Sequence, residues 1–407
     1  MPHQAESRMG ASARQLPESV SLWRREGVKE REGDAQIEIP ALNSLALGSL
    51  ASLYDQQEKL FSRSITLTES GPRREGTSWK GTIIALLGLQ HLADSGGALP
   101  FDVTMIQEAV LRDVSRVRSV GDLGLLIWLS AVSFPGRLEE LLSKFDCQNA
   151  IDACSNARST EARELSWFLA GLSHARLIHP QLHPDLADVA VETYHLLQEL
   201  QSESGIFGHS ASHGFVRGLL CSRYGTFADQ IHAIYSLSTF ARAFEIEEPL
   251  GLALNCANAV CAQQGDLGQW WFRYDKQRGC VASHYPVCSA HQDGMAPTAL
   301  LALGEATGQS FQKQIWRGLS WIAAGNELGV DLRSSDQALI WDSIEPRRRM
   351  AEYWETACNY LHVSSEPQVE NLKIRYEARP QHFGWLLYAF GKMGTSNTRL
   401  AFAQWAR

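Results

Sequence analysis

Two short segments of this 407-residue chain carry the residue types that acid–base chemistry needs. In TFADQIHAIYSL and SAHQDGMAPTALL an aspartate, Asp229 or Asp293, lies beside a glutamine at the head of a run with helical periodicity. Two carboxyls brought to the mouth of one cleft divide general-acid and general-base work when burial drives their pKa values apart. His291, two residues before Asp293, adds an imidazole that titrates near neutrality and so can carry a proton. Each aspartate alone also reads as a helix cap, a position that favours Asp. Their joint occurrence beside His291, next to long aromatic loops, makes Asp229, Asp293 and His291 the catalytic candidates.

Binding candidates surround them. The segment GQWWFRYD places Trp270, Trp271, Arg273 and Tyr274 together, and the chain holds 12 Trp, enough to supply flat apolar platforms for a ring-shaped ligand. Adjacent strand residues point to opposite faces, so one of Trp270 and Trp271 is expected to pack and the other to be presented. Arg273, Arg379 and Lys80, near expected helix starts, suit a carboxylate or phosphate. His382 and Trp385 open the last apolar segment and complete the binding set, and Tyr274 and Tyr285 flank an expected hairpin. Cys280, His284, Cys288 and His291 superficially offer four zinc ligands, but on a strand Cys280 and His284 would stand about 13 Å apart, too far for one ion. The sequence holds no phosphate loop after a strand, no HExxH and no nucleophile elbow. Neither a metal nor a cofactor is therefore expected.

The elements that must position these residues are helices. Apolar residues recur at helical spacing in twelve segments, roughly 44–65, 79–94, 101–118, 121–133, 135–154, 160–177, 182–201, 226–245, 247–264, 293–307, 309–326 and 382–395. The even-numbered ones are apolar nearly all round and rich in small residues (GTIIALLGLQHL, GDLGLLIWLSAV, HFGWLLYAFGKM), as buried helices are. The odd-numbered ones carry a charged stripe and read as an outer layer. Links from inner to outer helix are short, whereas links from outer to inner helix, about 66–78, 201–226, 264–293 and 326–380, are long. In an antiparallel ring the long links gather on one rim, and loops of that length are usually functional or disordered. The stretch 270–285 reads as a β-hairpin in one of them.

Six alternating hairpins of this kind describe an (α/α)6 toroid. The chain resembles six-hairpin glycosidase-like toroids over roughly residues 44 to 395, with terpenoid cyclase-like toroids as the second resemblance. The expected fold is all-α, with residues 1–40 a polar, flexible N-terminal arm and 41–407 a single toroid domain. The glycosidase-like resemblance implies a carbohydrate-active enzyme, a hydrolase, lyase or epimerase, working on an acidic glycan or glycoconjugate. The terpenoid-type alternative lacks both DxDD and DDxxD motifs. A non-catalytic glycan- or protein-binding toroid is the third reading.

Composition narrows the partners to a small molecule or an oligosaccharide. A net charge of −8 without a long Lys/Arg stripe speaks against nucleic acid and anionic membranes. No run approaches the roughly 18 apolar residues of a membrane helix, and the first residues have no signal-peptide h-region. Eight cysteines with no CxxC pair are too sparse for a disulfide scaffold, so a cytoplasmic location is expected.

Overall fold

The computed structural model describes residues 37–181, 184–211, 222–348, 351–360 and 368–393. Most of the expected N-terminal arm lies outside these residues, and the first helix begins at Ile39, just ahead of the expected boundary.

Six inner helices form a closed ring: α2 (Trp79–Asp94), α4 (Val120–Ser133), α7 (Ala162–Ile178), α9 (Phe227–Phe244), α11 (Ala296–Thr307) and α14 (Pro380–Phe390). Each packs on the next, and α14 closes back onto α2. Outside them lie α1 (Ile39–Leu53), α3 (Val103–Arg112), α6 (Cys147–Ala157), α8 (Pro184–Glu199), α10 (Glu248–Ala262) and α12 (Gln312–Ile322). The fold is the expected (α/α)6 toroid, with inner and outer layers alternating as the apolar and charged-stripe segments indicated.

Local chemistry sets where the inner helices begin. Ser78, Ser119 and Thr226 each accept a backbone N–H from the first turn of the helix they precede, satisfying a donor that the helix itself cannot. The glycines in the apolar segments explain how tightly neighbours pack. A methyl group on Gly88 would overlap the carbonyl of Gly384 across the α2–α14 contact, and one on Gly171 would overlap the carbonyl of Gly124 across α4–α7.

Rings fill the axis. Trp128 of α4 stacks on His174 of α7 (centroids 4.9 Å apart) and on Tyr235 of α9 (5.1 Å), and meets Tyr388 of α14 edge-on at 5.3 Å. Hydrogen bonds tie these rings together: His174 Nε2 to Tyr235 Oη at 2.9 Å, and Tyr235 Oη to Tyr388 Oη at 2.6 Å. His91 of α2 stacks on Tyr388. Burial pushes the His91 pKa down to about 3, so its imidazole is neutral and joins the core without an ionic partner.

Two expectations need correction. The first helix, expected to reach residue 65, stops at Leu53. The chain then runs as strands β1 (Tyr54–Asp55), β2 (Leu60–Thr68) and β3 (Gly71–Thr77), because Leu60, Phe61 and Ile65 fit a half-buried strand as well as a helix and the pairing of β2 with β3 decides between them. The segment 135–154 is two helices, α5 (Leu138–Leu142) and α6, since Asp146 caps a fresh start. The long links have regular structure of their own. They carry β4 (Tyr224–Thr226), β5 (Arg273–Asp275), β6 (Cys280–Ser283), β7 (Val287–Cys288), β8 (Arg333–Ser334), β9 (Leu339–Ile340), β10 (Ser343–Pro346), β11 (Leu372–Arg375) and β12 (Glu377–Ala378), along with helix α13 (Ala351–Tyr360). The expected hairpin is present as β5 and β6, with β4 on its other edge, while β7 pairs β10 and β12 pairs β2. These small sheets stiffen the rim at which the inner helices start. Among the described residues no helix is long and apolar enough to cross a membrane.

Candidate functional site

The first turns of the inner helices converge on the mouth of the ring, and both candidate aspartates are found there. Asp229, in the first turn of α9, is buried and closes a capping box: its Oδ2 accepts the Thr226 backbone N–H at 2.8 Å and the Thr226 hydroxyl at 2.7 Å. The same oxygen faces Nδ1 of His209 at 3.0 Å. His209 turns its other ring nitrogen toward Glu161, 3.4 Å away, and its side chain is 28 % exposed. Burial alone would lower the His209 pKa, but hydrogen bonds to Asp229 and Glu161 outweigh it and raise the value to about 10. His209, and chiefly its hydrogen bond, in turn holds Glu161 at about 2.

Asp293 lies in a π-helical turn, His291–Met295, that leads into α11. Its side chain is 0 % exposed, and both its oxygens face Nε2 of His382 in the first turn of α14, at 2.8 and 2.9 Å. Burial raises the Asp293 pKa, with His382 opposing. His291 is buried against Phe227, and its Nδ1 has no partner among the described residues. Burial, reinforced by the neighbouring His382, lowers its pKa to about 3, so the ring is neutral. The two aspartates thus do not share a proton directly. Each is fixed to its own imidazole, at the starts of two different inner helices.

The binding candidates divide. Trp270 and Tyr274 are fully buried: Trp270 stacks on Phe227, and Tyr274 packs beneath the hairpin. The assignment of these two as ligand contacts is corrected, because no face of either ring is open. Trp271 is half-buried, its edge against His284 and Tyr285. One Trp packs and the other is presented, as expected, although the strand itself begins only at Arg273. Arg273 reaches Thr356 of α13 at 3.1 Å, and Arg379 is held by Glu377 at 2.7 Å. His382 is taken up by Asp293, and Trp385 is buried in the floor, tilted against His232 and Trp128. Tyr285 donates its hydroxyl to Glu327 at 2.6 Å. The four residues weighed as zinc ligands form no metal-binding group, and among the described residues there is none.

Two groups at the mouth, His232 and Arg163, were not singled out from the sequence. His232, one turn beyond Asp229 on α9, is buried between the rings of Trp167 and Trp385, and burial keeps it neutral. The i, i+3 spacing from Asp229 was a legible signal for it. Over Trp167 stand two cations, Lys80 at 5.3 Å and Arg163 at 5.1 Å from the ring centroid. They are paired with Asp122 and Glu161 respectively. Asp342, next to Arg375 and Arg379 on the rim, was missed altogether. A terpenoid vessel would require an apolar chamber around Asp293. Instead an imidazole meets that carboxylate and aromatic rings fill the axis below.

No protein-family model and no curated protein sequence matches the chain. Solved structures do share its fold. An unsaturated glucuronyl hydrolase from Streptococcus agalactiae superposes with a TM-score of 0.57 at 12 % identity, covering 96 % of this chain and 98 % of that one. A sugar epimerase from a ruminal bacterium gives 0.57 at 9 % identity over 88 % of this chain and 100 % of that one. The unsaturated glucuronyl hydrolase responsible for glycosaminoglycan degradation in Bacillus sp. GL1 gives 0.53 at 13 % identity, over 88 % and 96 %. At these identities the likeness is one of fold.

Proposed function

We propose that the protein is a carbohydrate-active enzyme that cleaves a glycosidic bond in an acidic glycan or glycoconjugate. The observation that carries this reading is the pair of buried carboxylates, Asp229 and Asp293, each fixed to an imidazole at the start of an inner helix. A buried carboxylate that orients an imidazole sets which ring nitrogen faces the substrate and steadies the charge that develops on proton transfer. The glucuronyl hydrolases that share the fold support an acidic sugar. So do Lys80, Arg163, Arg273 and Arg379, partly exposed cations of the mouth and its rim that could meet a carboxylate. Trp271 offers a ring face for stacking. The described cysteines are all free, which supports a cytoplasmic setting.

The test is an assay of the purified protein on oligosaccharides ending in an unsaturated glucuronyl unit, on saturated uronic-acid oligosaccharides and on their neutral counterparts. Release of reducing ends from the acidic series alone is the expected result. Turnover of none of them, together with thermal stabilisation by prenyl diphosphates only, would overturn it.

Epimerisation is the second reading, favoured by His232 and His291. Both are buried and held neutral, which suits proton abstraction and return at a sugar carbon. Deuterium incorporation from heavy water into an unhydrolysed sugar, followed by NMR, separates it from hydrolysis.

A further inference from the structure

A third carboxyl at the rim is neither of the two that the sequence suggests. Asp293 is enclosed, with both oxygens on His382, and Asp229, whose Oδ2 takes the capping box and His209, has a side chain only 1 % exposed. Asp342 is different. It precedes β10, where its main-chain carbonyl accepts the Ser289 N–H at 2.8 Å, so it is anchored beside the turn that carries His291 and Asp293. Its Oδ2 accepts the Ser343 hydroxyl at 3.3 Å and stands 3.9 Å from Nε of Arg375. No hydrogen bond reaches its Oδ1 among the described residues, and the side chain is 16 % exposed. It is thus a mostly buried carboxyl at the rim, near the start of α14, with one oxygen unbonded among the described residues.

Resting on the reading of glycosidic cleavage, we propose that Asp342 is the general acid of the reaction, and that Asp293 is a positioning residue that holds His382 beneath it. In this step the Asp342 carboxyl gives its proton to the glycosidic oxygen as the bond from that oxygen to the anomeric carbon breaks. The electron pair of that bond stays on the oxygen. The carboxylate left behind recovers a proton from the water that adds to the anomeric carbon, so the net change is addition of one water across the bond.

The surroundings suit both states of the group. Facing Asp342 are Cys288 on β7, Ser343 on β10, Arg375 on β11, Glu377 on β12, and Arg379 and His382 at the start of α14, while Glu345 of β10 faces Cys288. Burial favours the neutral acid and raises its pKa, while Arg379 and Arg375 pull the other way. Burial thus favours the acid form, and the anion that forms when the proton leaves faces Arg375 and Arg379, which Glu377 also pairs.

The experiment compares wild type with Asp342→Asn, Asp342→Glu and Asp293→Asn in steady-state kinetics across pH, and follows the carboxyl stretch of wild type against Asp342→Asn by infrared difference titration. The expected result is a loss of about 100-fold or more in kcat for Asp342→Asn, in line with removal of a general acid. KM should stay within roughly threefold, since uniform binding is untouched. Folding should be unchanged, partial activity should return in Asp342→Glu, and the alkaline limb of the pH profile should disappear. Retention of activity within a few-fold in Asp342→Asn overturns the proposal. If wild type cleaves no glycoside at all, the functional reading has failed, and the infrared titration still decides about the group. A band assigned to Asp342 that titrates above the ordinary carboxyl range supports an acid there, and one at or below that range overturns it.

Discussion

His382 directs a single ring nitrogen at both carboxylate oxygens of Asp293, at 2.8 and 2.9 Å, and thereby joins the last inner helix to the turn that begins the fifth. Removing the anion leaves a buried imidazole without its partner. Asp293→Asn should cost about 3 kcal/mol of stability, within the range for breaking a buried pair. Denaturant unfolding measures it. A change below about 0.5 kcal/mol, the size of a neutral surface substitution, would mean the pair is not a structural tie.

The two Trp residues of GQWW should behave oppositely. Trp270→Ala removes a fully buried ring stacked on Phe227 and should lower stability by about 3 to 5 kcal/mol. Trp271→Ala should leave the melting temperature nearly unchanged and raise KM for a glycan. Equal thermal effects from both substitutions would contradict the placement described.

The pH dependence of stability follows from His209. Its folded pKa is raised to about 10 from an ordinary 6.5, so the stabilisation it contributes is fully present below 6.5 and is lost as pH rises from there towards 10. Melting temperature should fall over that window, and the fall should flatten in His209→Gln. Glu161, held at about 2 from an ordinary 4.5, works in the other direction. Its contribution is present above 4.5 and is lost as pH falls towards 2. An identical slope in wild type and His209→Gln between pH 6.5 and 10 would rule out the coupling.

His291 should not titrate across the physiological range. With its pKa lowered to about 3, its NMR ring resonances should be flat between pH 5 and 8. Any inflection in activity within that window then belongs to another group. A His291 titration near 6.5 would show that water reaches the ring.

Packing at the glycine contacts gives a further check. Gly124→Ala places a methyl against the backbone of Trp167 and Phe168 on α7. It should destabilise by about 1 to 3 kcal/mol, the usual cost of overpacking, despite the better helix propensity of Ala. A stabilised variant would mean that α4 and α7 can part without penalty.

The toroid was legible because each layer writes its environment into its own segments. GTIIALLGLQHL and ELSWFLAGLSHA are apolar all round because they are enclosed, and their glycines mark close contacts between neighbours. The long outer-to-inner links marked the rim where the small sheets lie. What the chain did not disclose was pairing at a distance. Asp229 was visible as a helix-start acid, but His209 is twenty residues away in a loop, and only the fold brings them together. Asp342 lies in a stretch where two-residue strands leave no period to read, so its neighbours Arg375 and Arg379 could not be inferred. The exposure of Trp271 and the burial of Trp270 depend on where β5 begins, and a shift of a few residues there is below what local pattern resolves.

The stacked rings of Trp128, His174, Tyr235 and Tyr388 make the toroid a cup with a floor, where an unfilled ring would have been a tunnel. Whatever binds at the mouth must come and go through one opening, and a linear chain cannot be threaded through the molecule. On the proposed function, a polymer would be offered to the site by its terminus, one unit at a time, and each departing fragment would clear the opening before the next is seated.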